Sequence, residues 1–158
     1  MFTKVVWATD GSEHADRAMG SAVQMAKADG ADLLVVHIVE KLLSGRASGM
    51  DTYANEDQVR AKIEGQARML ADESGLKTST RFAAALGNHV GDRIAEIAQE
   101  DGGDLIVVGT RGHGALGAMV LGGVTQRLLH VSHCPVLAVP PQAAVDSEAA
   151  AEPAATAS

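Results

Sequence analysis

The sequence predicts an α/β fold: one domain on a five-stranded, parallel, Rossmann-like sheet with helices on both faces. Three observations predict it. Short apolar, β-branched runs alternate with segments of helical periodicity through residues 1–141, the order of a doubly wound sheet with right-handed crossovers. Two of those runs, Asp32–Val39 (DLLVVHIV) and Asp104–Val108 (DLIVV), are continuously apolar, as strands covered on both faces are. A glycine-rich stretch, Gly109–Thr125 (GTRGHGALGAMVLGGVT), then leads from the second run into a helical segment.

Thr3–Thr9 (TKVVWAT) reads as the first strand, with Asp10-Gly11-Ser12 as the turn after it. Ser12 or Asp10 offers a side-chain oxygen to the free N–H groups of the next helix. That helix spans Glu13–Asp29, with Ala15, Ala18, Ala22, Met25 and Ala26 as its apolar stripe and Gly30 as its stop. Asp32–Val39 is the second strand. Lys41–Asn55 contains Ser44, Gly45, Ser48 and Gly49 with little periodicity, and reads as the longest loop, a lid or contact surface. Glu56–Ser74 is a second helix, with Val59, Ile63, Ala67 and Leu70 on one face and Gly75 at its end.

Lys77–Ala85 is the third strand and the most polar, which places it near an edge. Asn88–Glu100 is a helix with Val90, Ile94 and Ile97 inward, followed by the fourth strand, Asp104–Val108. Beyond the glycines, Val124–Val131 repeats apolar residues at Val124, Leu128 and Val131, and Pro135–Val139 is the fifth strand. The domain therefore covers residues 1–141. Residues 142–158 are rich in Ala, Glu and Pro, hold almost no large apolar side chain, and read as a disordered tail.

Composition excludes several functions. The chain has 158 residues, 46% hydrophobic and 21% charged, a globular composition for one domain. Of the formal charge of −7, three acids (Asp146, Glu148, Glu152) lie in the tail, and the remaining −4 does not suit nucleic-acid binding. The few aromatics, Phe2, Trp7, Tyr53 and Phe82, make no base-stacking platform. No apolar run is long enough to span a membrane, and the first ten residues do not read as a signal peptide. A single cysteine, Cys134, fits a reducing cytoplasm. His130, His133 and Cys134 fall in a helix end, a turn and the approach to a strand, with no fourth ligand at zinc spacing. No nucleophile elbow, metalloprotease helix or Cys/His pair in a catalytic context is present.

The chemistry concentrates in the glycine stretch. A turn that leaves a strand, lacks β-carbons and ends on a helix N-terminus presents several N–H groups and a positive dipole end, which together favour phosphate. The same glycines could also serve only as a tight turn. Their spacing is neither G-x-G-x-x-G nor the P-loop, because no Lys follows them. Ligands of such sheets bind at the carboxyl ends of the strands where strand order reverses. With strands one and four as the switch pair, Asp10 and Gly109 face each other across that crevice.

The spacing is Gly109-x2-Gly112-x9-Gly122, followed by Gly123, Val124 and Thr125. It resembles the G-x2-G-x9-G-[ST] stretch of the universal stress protein family, in its ATP-motif branch. The resemblance spans Lys4 to Val139 and includes VVWATDGSEHADRA, LLVVHIVE and CPVLAVP. It implies an adenine-nucleotide site, for ATP with or without Mg2+. Ala8, Thr9 and Asp10 would stand at the first strand end, with Asp10 near the ribose or metal-bound phosphates, and Ile38 would line the adenine pocket. Val108, Gly109, Gly112, Gly122, Gly123, Val124 and Thr125 would complete the nucleotide site, and Arg111, inside the glycine loop, suits phosphate because a guanidinium can bind two of its oxygens. The resemblance further implies a cytoplasmic stress-response sensor or regulator, not a metabolic enzyme; with neither a Lys for the phosphates nor a water-positioning Gln evident, any ATP hydrolysis would be slow. It also implies a homodimer through the Val136–Val139 edge strand. The chain departs from the pattern at Gly123, where the family carries Ser or Thr. Two alternatives stay open: a nucleotide-independent adapter of this fold, and an enzyme of the related superfamily that uses adenine nucleotides. His37 is read as a packed histidine, since nothing pairs with it in sequence.

Overall fold

The computed structural model describes residues 1–41, 49–111 and 121–141, except the side chains of 49–54. Among the described residues, five strands and four α-helices alternate. They are β1 (Lys4–Ala8), α1 (Glu13–Asp29), β2 (Asp32–Lys41), α2 (Gly49–Ser74), β3 (Thr78–Leu86), α3 (Val90–Glu100), β4 (Leu105–Gly109), α4 (Gly123–Val131) and β5 (Val136–Val139). A short 3-10 turn, Gly87–His89, precedes α3. The strands form one parallel sheet in the order β3-β2-β1-β4-β5.

The order reverses between β1 and β4. The chain winds outward from β1 through β2 to β3, then crosses back to β4 and β5. Val5 pairs with Leu33 on one side and Leu105 on the other. The middles of the three central strands are consequently apolar and covered on both faces, and Trp7, Val35 and Val107 are fully buried.

Alternation along β1 sends its side chains into two cores. Val5 and Trp7 meet the small residues Ala18, Ala22 and Ala26 of α1 and Ile63 of α2. Val6 and Ala8 meet Ile94 and Ile97 of α3 and Leu128 of α4. The alanine stripe lets α1 lie close to the sheet, and the Trp7 indole N–H donates to the Ala15 carbonyl at 3.1 Å. The helix starts at a Ser12 cap, whose hydroxyl accepts from the Ala15 N–H, and stops at Gly30 in the left-handed region at φ 66°. At the other end of the sheet, Asp104 fastens β4 to β1 by accepting from the N–H groups of Thr3 and Lys4 and from the Thr3 hydroxyl. Partial burial pushes this carboxyl up, but those hydrogen bonds outweigh it and hold the group below its ordinary range.

Two sequence expectations change. The loop expected over 41–55 is shorter, because α2 begins at Gly49 instead of Glu56; residues 42–48 lie outside the described residues. The helix expected from Asn88 opens with the 3-10 turn and becomes α-helical at Val90. Val124 in the first turn of α4 is 36% exposed at a cleft, while Thr125 beside it is buried. β3 is an edge strand, as its polarity predicts. Among the described residues no helix is long and apolar enough to cross a membrane. The tail lies outside the described residues.

Candidate functional site

The carboxyl ends of β1, β2 and β4 open into one cavity of about 540 Å³, inside the roughly 300–1,000 Å³ typical of small-molecule sites. Its walls come from the strand order. β1 and β4 are adjacent, yet their chains depart to opposite faces, into α1 and α4, and the divergence leaves a crevice above them. Ala8, Thr9 and Asp10 enter it from β1, Ile38 from β2, and Val108 and Gly109 from β4.

One wall is the N-terminus of α4. Its cap is Gly122, which supplies no side chain to the first turn. The Gly122 N–H is itself spent on the Thr110 carbonyl at 2.8 Å. The N–H groups of Gly123, Val124 and Thr125 are the donors that an α-helix leaves without an intrahelical partner. With the positive dipole end they favour an anion in the cavity. Arg111 brings the one guanidinium that lines the cavity among the described residues. The Thr125 hydroxyl, 2% exposed with its residue, donates to the Gly109 carbonyl at 2.9 Å. Gly109 is glycine for a packing reason as well: a Cβ there would stand 2.9 Å from the His14 carbonyl oxygen of α1.

The opposite wall carries acids. Asp10 accepts from both the N–H and the hydroxyl of Ser12 through one oxygen, so Ser12 caps α1 and Asp10 holds the cap in place. Glu40 and Glu56 line the same space. His37 is buried between β1 and α2. Its Nδ1 lies 2.9 Å from the Thr9 carbonyl oxygen and its Nε2 lies 2.8 Å from Glu56 Oε1. His37 is a packed histidine, as expected, and its partner, which the sequence does not disclose, arrives from 19 residues away on a different element.

The family model described as universal stress protein family matches residues 1–140. The chain belongs to the universal stress protein family. A member from Thermus aquaticus is 35% identical over 140 residues, which cover 88% of this chain and 99% of that protein. A member from Bacillus subtilis is 33% identical, with 88% and 99% covered. Among solved structures, universal stress protein UspA from Lactobacillus plantarum superposes with a TM-score of 0.73 at 20% identity, covering 87% of this chain and 97% of that one. Two further neighbours were solved with ligands. One is a universal stress protein in complex with cAMP, at TM-score 0.57 and 24% identity, covering 87% of this chain and 97% of its own. The other is the Archaeoglobus fulgidus protein in complex with dAMP, at TM-score 0.57 and 23% identity, covering 88% and 98%.

Against this family pattern, eleven residues named from the sequence line the one cavity: Ala8, Thr9, Asp10, Ile38, Val108, Gly109, Arg111, Gly122, Gly123, Val124 and Thr125. Gly112 lies outside the described residues. Sequence reasoning missed Glu56, Asn55 and Val59 on α2, and Val90 and Ile94 on α3. The helical stripes of α2 and α3 marked Val59, Val90 and Ile94 as apolar, but stripe position alone does not tell core from cavity wall. Nothing in the local sequence marks Glu56.

Proposed function

We propose that this universal stress protein binds an adenine nucleotide, ATP with Mg2+, in the cavity between β1 and β4, and works as a sensor or regulator in the cytoplasm. The observation that carries the reading is convergence. The uncapped first turn of α4 and Arg111 face one side of a cavity whose other wall carries Ile38, a flat apolar surface suited to a base, and Asp10, an acceptor suited to ribose hydroxyls. The relatives solved with cAMP and dAMP support adenine nucleotide as the ligand class. Gly122 and Gly123 keep side chains away from the phosphate end, and Asp10 is the acid that would meet a nucleotide-bound magnesium. The edge strand β5 supports a homodimer, because an uncovered strand edge offers N–H and C=O groups to a second copy.

The test is mass spectrometry of small molecules released by denaturing freshly purified protein. The reading expects an adenine nucleotide in near-stoichiometric amount, or saturable uptake of added ATP with magnesium. Protein that carries none and takes none up supports the second reading, a nucleotide-independent adapter of the same fold. Two observations favour that alternative. Gly123 lacks the family hydroxyl, and the Thr125 hydroxyl is turned to Gly109.

A further inference from the structure

His37 is 4% exposed, and both of its ring nitrogens face oxygens that accept. The Thr9 carbonyl at Nδ1 can never donate, so Nδ1 carries a proton. An ionised Glu56 at Nε2 also only accepts, so a hydrogen bond of 2.8 Å requires a second proton on the ring. We propose that His37 is an imidazolium whose Nε2 proton latches Glu56, and with it the first turns of α2, against the ends of β1 and β2. Loss of that proton would release the wall of the cavity.

The surroundings define how the latch responds. Phe82 of β3 meets the His37 ring edge-on, with ring centroids 6.2 Å apart, and Arg60 of α2 covers Phe82 at 4.4 Å from its centroid. No acid approaches from β3 in that contact. From α2 come Glu56 and Arg60. From the strand ends, Glu40 and Asp10 line the same cavity. While the proton is present, the imidazolium offsets Glu56. When it leaves, two lone pairs confront each other at Nε2 and Oε1, the contact parts, and Glu56 adds an uncompensated negative charge to a cavity that already holds Asp10 and Glu40. Both consequences act in one direction: affinity for an anionic ligand falls as pH rises. The ligand part of this inference rests on the nucleotide reading; the proton part does not.

Two measurements on the full chain keep those parts separate. The first is nitrogen-15 NMR of the imidazole rings between about pH 5.5 and pH 9, across the range in which histidine ordinarily titrates. Both His37 nitrogens should be protonated at the acid end, and Nε2 alone should lose its proton on raising pH, with backbone amide shifts following from Asn55 to Val59. A ring protonated only at Nδ1 at the acid end, or one unchanged through the range, overturns the latch. The second is ATP–magnesium affinity over the same range for wild type and Glu56→Gln. The amide can donate to a neutral Nε2, so this variant keeps the contact without the extra proton. Wild type should weaken with rising pH, by at most about tenfold per pH unit for one linked proton, and Glu56→Gln should flatten that slope. Equal slopes overturn the control of binding by the latch. Binding absent at every pH with the NMR transition present leaves the latch standing and refutes the nucleotide reading.

Discussion

The Thr125 hydroxyl of α4 donates to the Gly109 carbonyl of β4 at 2.9 Å, across 16 residues of chain. This bond joins both ends of the glycine-rich stretch and fixes the mouth of the cavity. It also occupies the one hydroxyl proton that the first turn of α4 possesses, leaving backbone N–H groups and Arg111 as the anion donors on that side.

Thr125→Val keeps the shape of this buried side chain and removes the bond. The Gly109 carbonyl is then left without that donor, at a cost of roughly 1–3 kcal/mol. Chemical denaturation should show the loss, and Thr125→Ser should recover most of it. Stability unchanged in Thr125→Val would mean that the Gly109 carbonyl finds another donor.

Asp104→Asn tests the fastening of β4 to β1. The carboxyl lies below its ordinary range when folded, so it stabilises the fold at neutral pH, above its unfolded value near 3.9, and this contribution disappears as pH falls through the lower folded value. The variant should be less stable by about 1 kcal/mol near neutrality, discounted for solvent exposure. The two proteins should converge in strong acid. A stability difference independent of pH would assign the effect to shape and not charge.

Assembly is tested by light scattering over a dilution series. β5 has β4 on one side and closes the sheet on the other, with all four of its residues only half-buried. A dimer at micromolar concentration is expected. A monomer there would mean that the edge is left unpaired in solution.

What was legible in the sequence is what local chemistry determines. Ser12 before an alanine stripe and Gly30 after it bound α1 at Glu13 and Asp29, where the structure has them. The apolar runs located β1, β2 and β4, and the glycine spacing located the cavity mouth. Long-range features were not legible. Residues 49–55 lack an apolar period and a cap, yet they are helical, because a long helix nucleated by the stripe at Ile63, Ala67 and Leu70 extends at little cost per residue. Glu56 meets His37 only because β2 and α2 fold against each other. The close approach of the His14 carbonyl to Gly109 likewise gives that glycine a packing role that its spacing did not disclose.

Nucleotide binding at the first turn of α4 is the central claim, and Gly123 is the position that tests it most directly. Its φ is not positive, and a Cβ built there meets no described atom within 4 Å, so serine fits without strain. At Gly122 a Cβ would already stand 3.3 Å from the Thr110 carbonyl oxygen, which leaves no room for a branched side chain beside a phosphate. A hydroxyl at 123 adds one hydrogen bond to a charged oxygen, roughly ten- to a hundredfold in affinity. The measurement is isothermal calorimetry of ATP with magnesium against wild type, Gly123→Ser and Gly122→Val. Wild type should bind, Gly123→Ser should bind more tightly, and Gly122→Val should not bind. No heat from either wild type or Gly123→Ser would contradict the central claim.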